Sequence, residues 1–206
     1  GLCGVAVFSV PMNQRVIPKY LDCEPALGVE LGRFVLVDEV PANGESWFIS
    51  RAFKVLREEL DVEGVVSYSD PVPRRAVNGN LVMPGHVGII YQATNAAYFG
   101  RASSRTLLLT QRGTVLSARA LSKIRNAESG VDYSCELLSE ASGVARRPYE
   151  SGRDYVTRAL KSPGLRRFRH PGNHIYAWGF GKARKRVLRM ADGGDYPKQV
   201  DQCWKH

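Results

Sequence analysis

No apolar run in this chain approaches the roughly 18 residues that a helical membrane span needs, so no membrane partner is expected. Cysteine is sparse: Cys3, Cys23, Cys135 and Cys203 are the four in 206 residues. They form no CxxC pair, and no histidine stands at zinc-finger spacing, which excludes zinc ribbons and disulfide scaffolds. Reduced thiols in a cytoplasmic protein are the expectation. Internal repeats are missing, so solenoid and propeller architectures are excluded. A true glycine-rich phosphate loop is missing as well. Base is scarce in one half of the chain only: residues 1–100 carry 8 Lys/Arg against 11 Asp/Glu, a net charge of −3, and residues 101–206 carry 21 against 9, a net charge of +12.

What remains is a globular composition, 44% hydrophobic and 24% charged, with a formal net charge of +9. A basic second half beside a near-neutral first half points to a polyanionic partner, most simply nucleic acid. Aromatic residues interleave the basic half (Tyr149, Tyr155, Phe168, Tyr176, Trp178, Phe180), a composition suited to stacking on bases. A merely solvated basic face is the competing reading.

The runs Gly4–Val10 and Leu31–Val37 read as buried strands. The chain enters the first of them almost at once, and N-terminal elements before Gly1 are expected to be missing. Ile49, Ala52, Phe53, Leu56 and Leu60 follow helical spacing, with Asn43 or Ser46 as cap. Gly64 then leads into the strand Val65–Ser69. This strand–helix–strand order describes an α/β core. A loop over 70–84 follows, and a short helix and a strand are expected within 87–99. A hairpin is expected over 106–116, a helix over 117–125 and a strand over 174–178. The boundary between a core (1–105) and a basic extension (106–206) is placed near residue 105.

The densest chemistry lies between Val65 and Gly100. The strand delivers Tyr68 and Asp70 to its C-terminal end, and His86, Tyr91, Gln92, Asn95 and Tyr98 follow closely. A second feature is the junction Ala42-Asn43-Gly44-Glu45-Ser46, where helix-terminal N–H groups can face an anion. One glycine and an adjacent glutamate make this a weak phosphate signal, and an ordinary helix cap competes. Ser50 lies one turn further on. Arg33, inside a strand, must exit at a sheet edge or pair with an acid or an anionic ligand.

Several motifs agree in order with one family. They are Glu30-Leu31-Gly32-Arg33, Val66-Ser67-Tyr68-Ser69-Asp70-Pro71, and Gly85-His86-Val87-Gly88 running on to Asn95. The pattern Tyr-Gln-Ala-x-Asn-x-x-Tyr-x-Gly is met at every fixed position by Tyr91–Gly100. Ser117–Lys123 and Gly172–Tyr176 extend the likeness. The chain thereby resembles the Mom family of phage DNA-modification proteins, related to the GNAT acyltransferase superfamily, from about Glu30 to its end.

The resemblance implies an α/β (α+β) fold with a GNAT-like mixed central sheet flanked by helices, in which Leu31–Val37 is the central strand. It implies addition of a carbamoylmethyl (acetamido-type) group to N6 of adenine in double-stranded DNA, as protection from restriction inside the host bacterial cell. An acetyl-CoA or related acyl-CoA donor is implied, with Arg33, Asn43, Gly44, Ser46 and Ser50 at its site. Iron is a further expectation, with His86 and Asp70 as candidate ligands. A dimer is compatible with the pattern.

Each residue keeps two readings. Asp70 is a general base or metal ligand, or a turn cap before Pro71. Tyr91 is a general acid, or a half-buried aromatic bonded to backbone. His86 is a proton shuttle, or an exposed loop histidine. Asn95 reads an adenine edge, or caps a turn. Tyr68 and Tyr98 stack a flipped base, or pack in the core. Arg101, Arg105, Arg119, Lys123 and Arg125 are assigned to DNA phosphates. The competing functions are a GNAT-type N-acyltransferase acting on another amine, and a non-catalytic DNA-binding protein.

Overall fold

Short β-branched runs, each broken by glycine, proline or a polar turn, set the element lengths in this chain. A computed structural model describes residues 1–191 and 194–201. The chain begins with β1 (Gly4–Ser9), α1 (Val16–Leu21), β2 (Gly28–Leu36), α2 (Gly44–Glu59) and β3 (Gly64–Ser69). A small hairpin, β4 (Arg74–Arg75) and β5 (Leu81–Met83), precedes α3 (Ile89–Ala93), β6 (Ala97–Arg101) and β7 (Arg105–Thr110). Then come α4 (Ala118–Asn126), α5 (Val131–Ser142), α6 (Gly152–Ala159), β8 (Leu165–His170), β9 (His174–Gly179) and α7 (Ala183–Met190). Among the described residues no helix is long and apolar enough to cross a membrane.

The fold is mixed α/β: a five-stranded sheet of order β1-β2-β3-β9-β6 with helices on its faces. β2 and β3 are parallel, and the other pairs are antiparallel. The central strand is therefore β3. The expected central strand, Leu31–Val37, lies one place toward the edge, because β9 inserts on the far side of β3. Strand alternation divides the side chains between two faces. Val66, Ile175 and Ala177 pack under α1 and α7 with Ile17, Leu21 and Val187. Leu31, Val65, Tyr176 and Trp178 pack on the other face with Leu56 of α2 and Tyr91 of α3. Full burial of each valine or isoleucine here contributes ~1.5–3 kcal/mol.

The chain forms two compact units that interleave in sequence. One comprises Gly1–Pro71, His86–Ser103 and Gly172–Val200, and the other includes Val72–Gly85 and Ser104–Pro171. The sequence predicts one boundary near residue 105; the structure instead returns the chain to the first unit for β9 and α7. In the second unit α4, α5 and α6 enclose Leu121, Ile124, Leu138, Tyr155 and Val156. Tyr155 is fully buried and its hydroxyl donates to the carbonyls of Cys135 (3.2 Å) and Val144 (3.1 Å), so its polar end is satisfied. The hairpin expected over 106–116 turns at 110–114, with Leu109 bridged to Val115 and the N–H groups of Thr110 and Leu116 donating to the carbonyls of Thr114 (2.9 Å) and Leu108 (2.8 Å), while β7 also pairs along its length with β8. Cys3, Cys23 and Cys135 carry free thiols; Cys203 lies outside the described residues.

One ion pair ties this unit together. Arg158 donates through Nε and a terminal nitrogen to both carboxylate oxygens of Glu150 (2.8 and 2.6 Å), and the Arg147 N–H adds a third bond (2.9 Å). These bonds, those from Arg158 foremost, hold the Glu150 carboxyl down at about 2, against an ordinary 4.5. A depressed carboxyl contributes stability that is complete above its unfolded value and is lost as pH falls through its folded value. Thermal unfolding followed between pH 6 and pH 2 is expected to show Glu150→Gln less stable than wild type at pH 6. The two curves should converge as pH drops from about 4.5 toward 2.

Candidate functional site

The central strands build a polar, aromatic face from sequences that alternate strictly. β3 runs against β9 with Ser67 opposite Tyr176 and Ser69 opposite His174, and β6 brings Tyr98 opposite Tyr176. The rings of Tyr91, Tyr98 and Trp178 each lie near 5.4 Å from a neighbour in this array, edge-on or tilted, arrangements favoured by ring quadrupoles. Tyr98 Oη and His174 Nδ1 are 2.7 Å apart. Tyr176 Oη donates to the Val87 carbonyl and accepts from Gln92 Nε2 at 3.2 Å. Burial pushes the Tyr176 phenol up to about 12. Gly88 begins α3 at a φ of +73°, and a side chain there would meet the rings of Tyr176 and Tyr91 at 2.8 Å, so glycine lets the loop lie on the array.

At the C-terminal end of β3, the His86 N–H donates to the Asp70 carbonyl at 2.8 Å. The His86 ring lies 6.3 Å from that of Tyr91, edge to face. His86 keeps an open face to solvent. The protein mass behind it lowers its pKa below the ordinary 6.5, and the Asp70 carboxylate pulls the other way. A neutral imidazole beside a carboxylate can accept a proton and have the resulting charge steadied. Tyr91 differs from expectation: it is 7% exposed, in the core with Trp178 and Tyr176. Burial raises its pKa and a Ser67 hydrogen bond opposes the rise, so it remains a protonated phenol under His86.

Tyr68 does not join this group. Strand alternation turns it to the opposite face, where it packs with the α1 cluster; burial raises its pKa strongly, with Tyr20 and Glu30 adding to the shift. Asp70 and His86 offer two candidate metal ligands, and among the described residues no group of three or more His, Cys, Asp or Glu gathers. That donor set does not fit an iron centre.

The expected donor-binding residues divide as well. Arg33 is exposed opposite Val7, while its neighbour Phe34 packs on Phe48 of α2. A bulge between Val7 and Phe8 sets this register, so Arg33 leaves the sheet on the face away from α2. Asn43 is the α2 cap at a φ of +73° without a side-chain bond, and Glu45 fills the first turn. The hydroxyls of Ser46 and Ser50 donate to the carbonyls of Asn43 (3.0 Å) and Ser46 (2.8 Å). At this junction the serine hydroxyls are thus engaged with backbone carbonyls. A cleft of about 410 Å³ is lined by residues of α2, α7 and the end of β9. Lys54, Arg57 and Arg184 line it, the first two paired with Glu58 (3.8 and 2.9 Å), and Phe53, Trp178 and Phe180 supply an aromatic wall. Ser50 and Asn95 also line it, so Asn95 borders this cleft from a left-handed position (φ +58°) at the end of α3.

Of the expected phosphate-binding cations, Arg101 belongs to the first unit, while Arg105, Arg119, Lys123 and Arg125 belong to the second. Arg119 grips Glu128 with both terminal nitrogens. Ser67, Ser69, His174, Tyr176 and Trp178, to which the sequence reading gives no role in the site, complete it together with Gln92, already named beside Tyr91. The alternation His174-Ile-Tyr176-Ala-Trp178 is the signal that places three of them on one face.

A family model described as the Mom protein family matches residues 1–149. That span starts earlier and ends sooner than the likeness read from Glu30 to the end of the chain. No curated protein matches the chain.

Asp70→Asn is expected to move the His86 titration, followed by NMR through its ring protons, to lower pH still. The substitution removes the one charge that raises it.

Proposed function

The chain belongs to the Mom protein family, and from that premise we propose that it modifies adenine in phage DNA, adding a carbamoylmethyl (acetamido-type) group to N6. The observation that carries this reading is the family match over residues 1–149, a span that contains Asp70, His86 and Tyr91.

Neutral His86 is the group best suited to take a proton from the adenine amine as the new N6–carbon bond forms. Asp70 then steadies the imidazolium. Tyr91 packs beneath the His86 ring and stays protonated, as a general acid toward the leaving group must be, while its burial in the core also lets it shape the site and bond Ser67. The donor's leaving group departs with the electron pair of the bond that breaks. Carbamoylmethyl transfer requires a donor whose leaving group sits on the methylene carbon of an acetamide unit, that bond breaking as N6–CH2 forms. An acyl-CoA thioester would instead leave an acyl group on N6. A donor of the first kind that carries phosphates and an aromatic base would set them beside Lys54, Arg57 and Arg184 and against the Phe53–Trp178–Phe180 wall. The adenine must leave the duplex stack before N6 is reachable.

Nucleosides from plasmid DNA co-expressed with the protein, digested and read by mass spectrometry, test the reaction. A new adenosine adduct is expected with wild type. His86→Ala and Asp70→Asn are expected to lower it by about 10²-fold or more. An unchanged nucleoside profile accompanied by donor turnover would instead favour an acyltransferase acting on another amine. Unchanged adduct levels in both variants would remove Asp70 and His86 from the chemistry.

The cleft is tested separately. The double variant Lys54→Glu, Arg184→Glu is expected to weaken binding of acetyl-CoA, a probe that carries phosphates and an aromatic base, at least about tenfold by calorimetry, an effect that shrinks as salt screens the charges.

A further inference from the structure

Six aromatic residues of the basic half suit base stacking by composition, and five of them are spent elsewhere. Tyr155, Phe168, Tyr176 and Trp178 are buried, and Phe180 is half-buried against Phe53. Tyr149 alone is fully exposed. Its backbone stands at a φ of +60°, a conformation that a bulky L residue rarely takes and that persists only where the surroundings enforce it.

The surroundings do enforce it. Glu150, the next residue, is clamped by Arg158 through both carboxylate oxygens and by the Arg147 N–H. The Glu150 carbonyl accepts two bonds from the Arg146 guanidinium (3.2 and 2.8 Å). Arg158 also holds the Ala145 carbonyl at 2.8 Å, and Tyr155 holds that of Val144. On the far side Ser151 caps α6 through the Asp154 N–H (3.1 Å). Gly152 presses so closely on the end of α4 that an added Cβ would collide with the Ile124 carbonyl oxygen and stand 3.5 Å from Arg125 Cα. The loop is thus rigid on both sides of a ring that touches little of its own protein, and Arg125, Arg147 and Arg153 are exposed around it.

We propose that the loop 144–152 is a stacking platform for an unpaired base of DNA, with Tyr149 as the ring and Arg125, Arg147 and Arg153 as the cations that meet phosphate. An aromatic face combined with guanidinium groups is the pairing that grips single-stranded nucleic acid without reading its sequence. A preformed loop lowers the ordering cost of that grip. The identity of the partner as DNA rests on the adenine-modification reading, since opening a base pair to reach N6 exposes unstacked bases.

The test uses the full chain and a single-stranded oligonucleotide carrying 2-aminopurine, whose fluorescence is quenched when the base stacks. Wild type is expected to bind and quench. Tyr149→Ala should bind roughly 5- to 100-fold more weakly, lose the quench, and keep its dependence of log Kd on log salt. Tyr149→Phe and Tyr149→Trp should restore both. Arg147→Ala with Arg153→Ala should flatten the salt slope by about 0.7 for each arginine removed. Tyr149→Gly, free of backbone strain, should melt at or above the wild-type temperature while binding as weakly as Tyr149→Ala, which separates stacking from folding.

Wild-type binding and quench in Tyr149→Ala overturn the platform, as does failure of Phe and Trp to rescue. If the quench depends on Tyr149 but no adenosine adduct forms in cells, the enzymatic reading fails and the platform stands. If adduct forms equally with Tyr149→Ala and its quench is intact, the platform fails and the enzymatic reading stands.

Discussion

The antiparallel pairing of β9 with β3 is the constraint on which the first unit depends. It brings residues 174–179 back between β3 and β6, supplying both the inner strand of the sheet and half of its polar face. Ser67 and Ser69 would otherwise be hydroxyls on a bare strand edge; with β9 in place they stand beside Tyr176 and His174. The same strand gives Trp178 to the core under α2 and to the wall of the cleft. Packing, hydrogen-bond satisfaction and the candidate site are in this sense one structural event.

The group around His86 and the cleft beside α2 differ chemically. One holds a neutral imidazole, a carboxylate and a set of phenols raised by burial. The other holds exposed cations around aromatic rings. A group that accepts a proton is best kept from strong positive charge, which would depress its basicity, whereas a phosphate-bearing ligand is best met by such charge. Trp178 spans the distinction, edge-on to Tyr91 on one side and to Phe53 on the other.

Much of the local structure is legible in the sequence. The β-branched runs of β1, β3 and β9 announce strands, and the apolar spacing of α2 with Asn43 before it announces a capped helix. The helix α5 is hidden because its inward stripe includes Ser134 and Ser142, so polar residues interrupt the apolar period. Sheet order is hidden for a different reason: β9 lies more than a hundred residues beyond β3, and no local preference encodes so distant a partner. The site is half legible. Asp70, His86 and Tyr91 do meet, but the face that Tyr68 takes depends on the position of β9, and Arg33 depends on a bulge at Gly32, a strand glycine whose meaning appears only once β1 is paired beside it. Among the aromatics of the basic half, composition does not separate core rings from the exposed Tyr133 and Tyr149. Only packing does that.

The late return of β9 also orders events on the ribosome. β6 is complete at residue 101, yet its sheet neighbour among the described residues, β9, ends at residue 179. At about 5–20 residues per second of synthesis, β6 waits roughly 4 to 16 seconds with an unsatisfied edge. In that interval the nascent chain completes α4, α5 and α6, whose contacts are local and quick to form. A growing polypeptide of this kind would profit from a chaperone that shields an open strand until translation has passed Gly179.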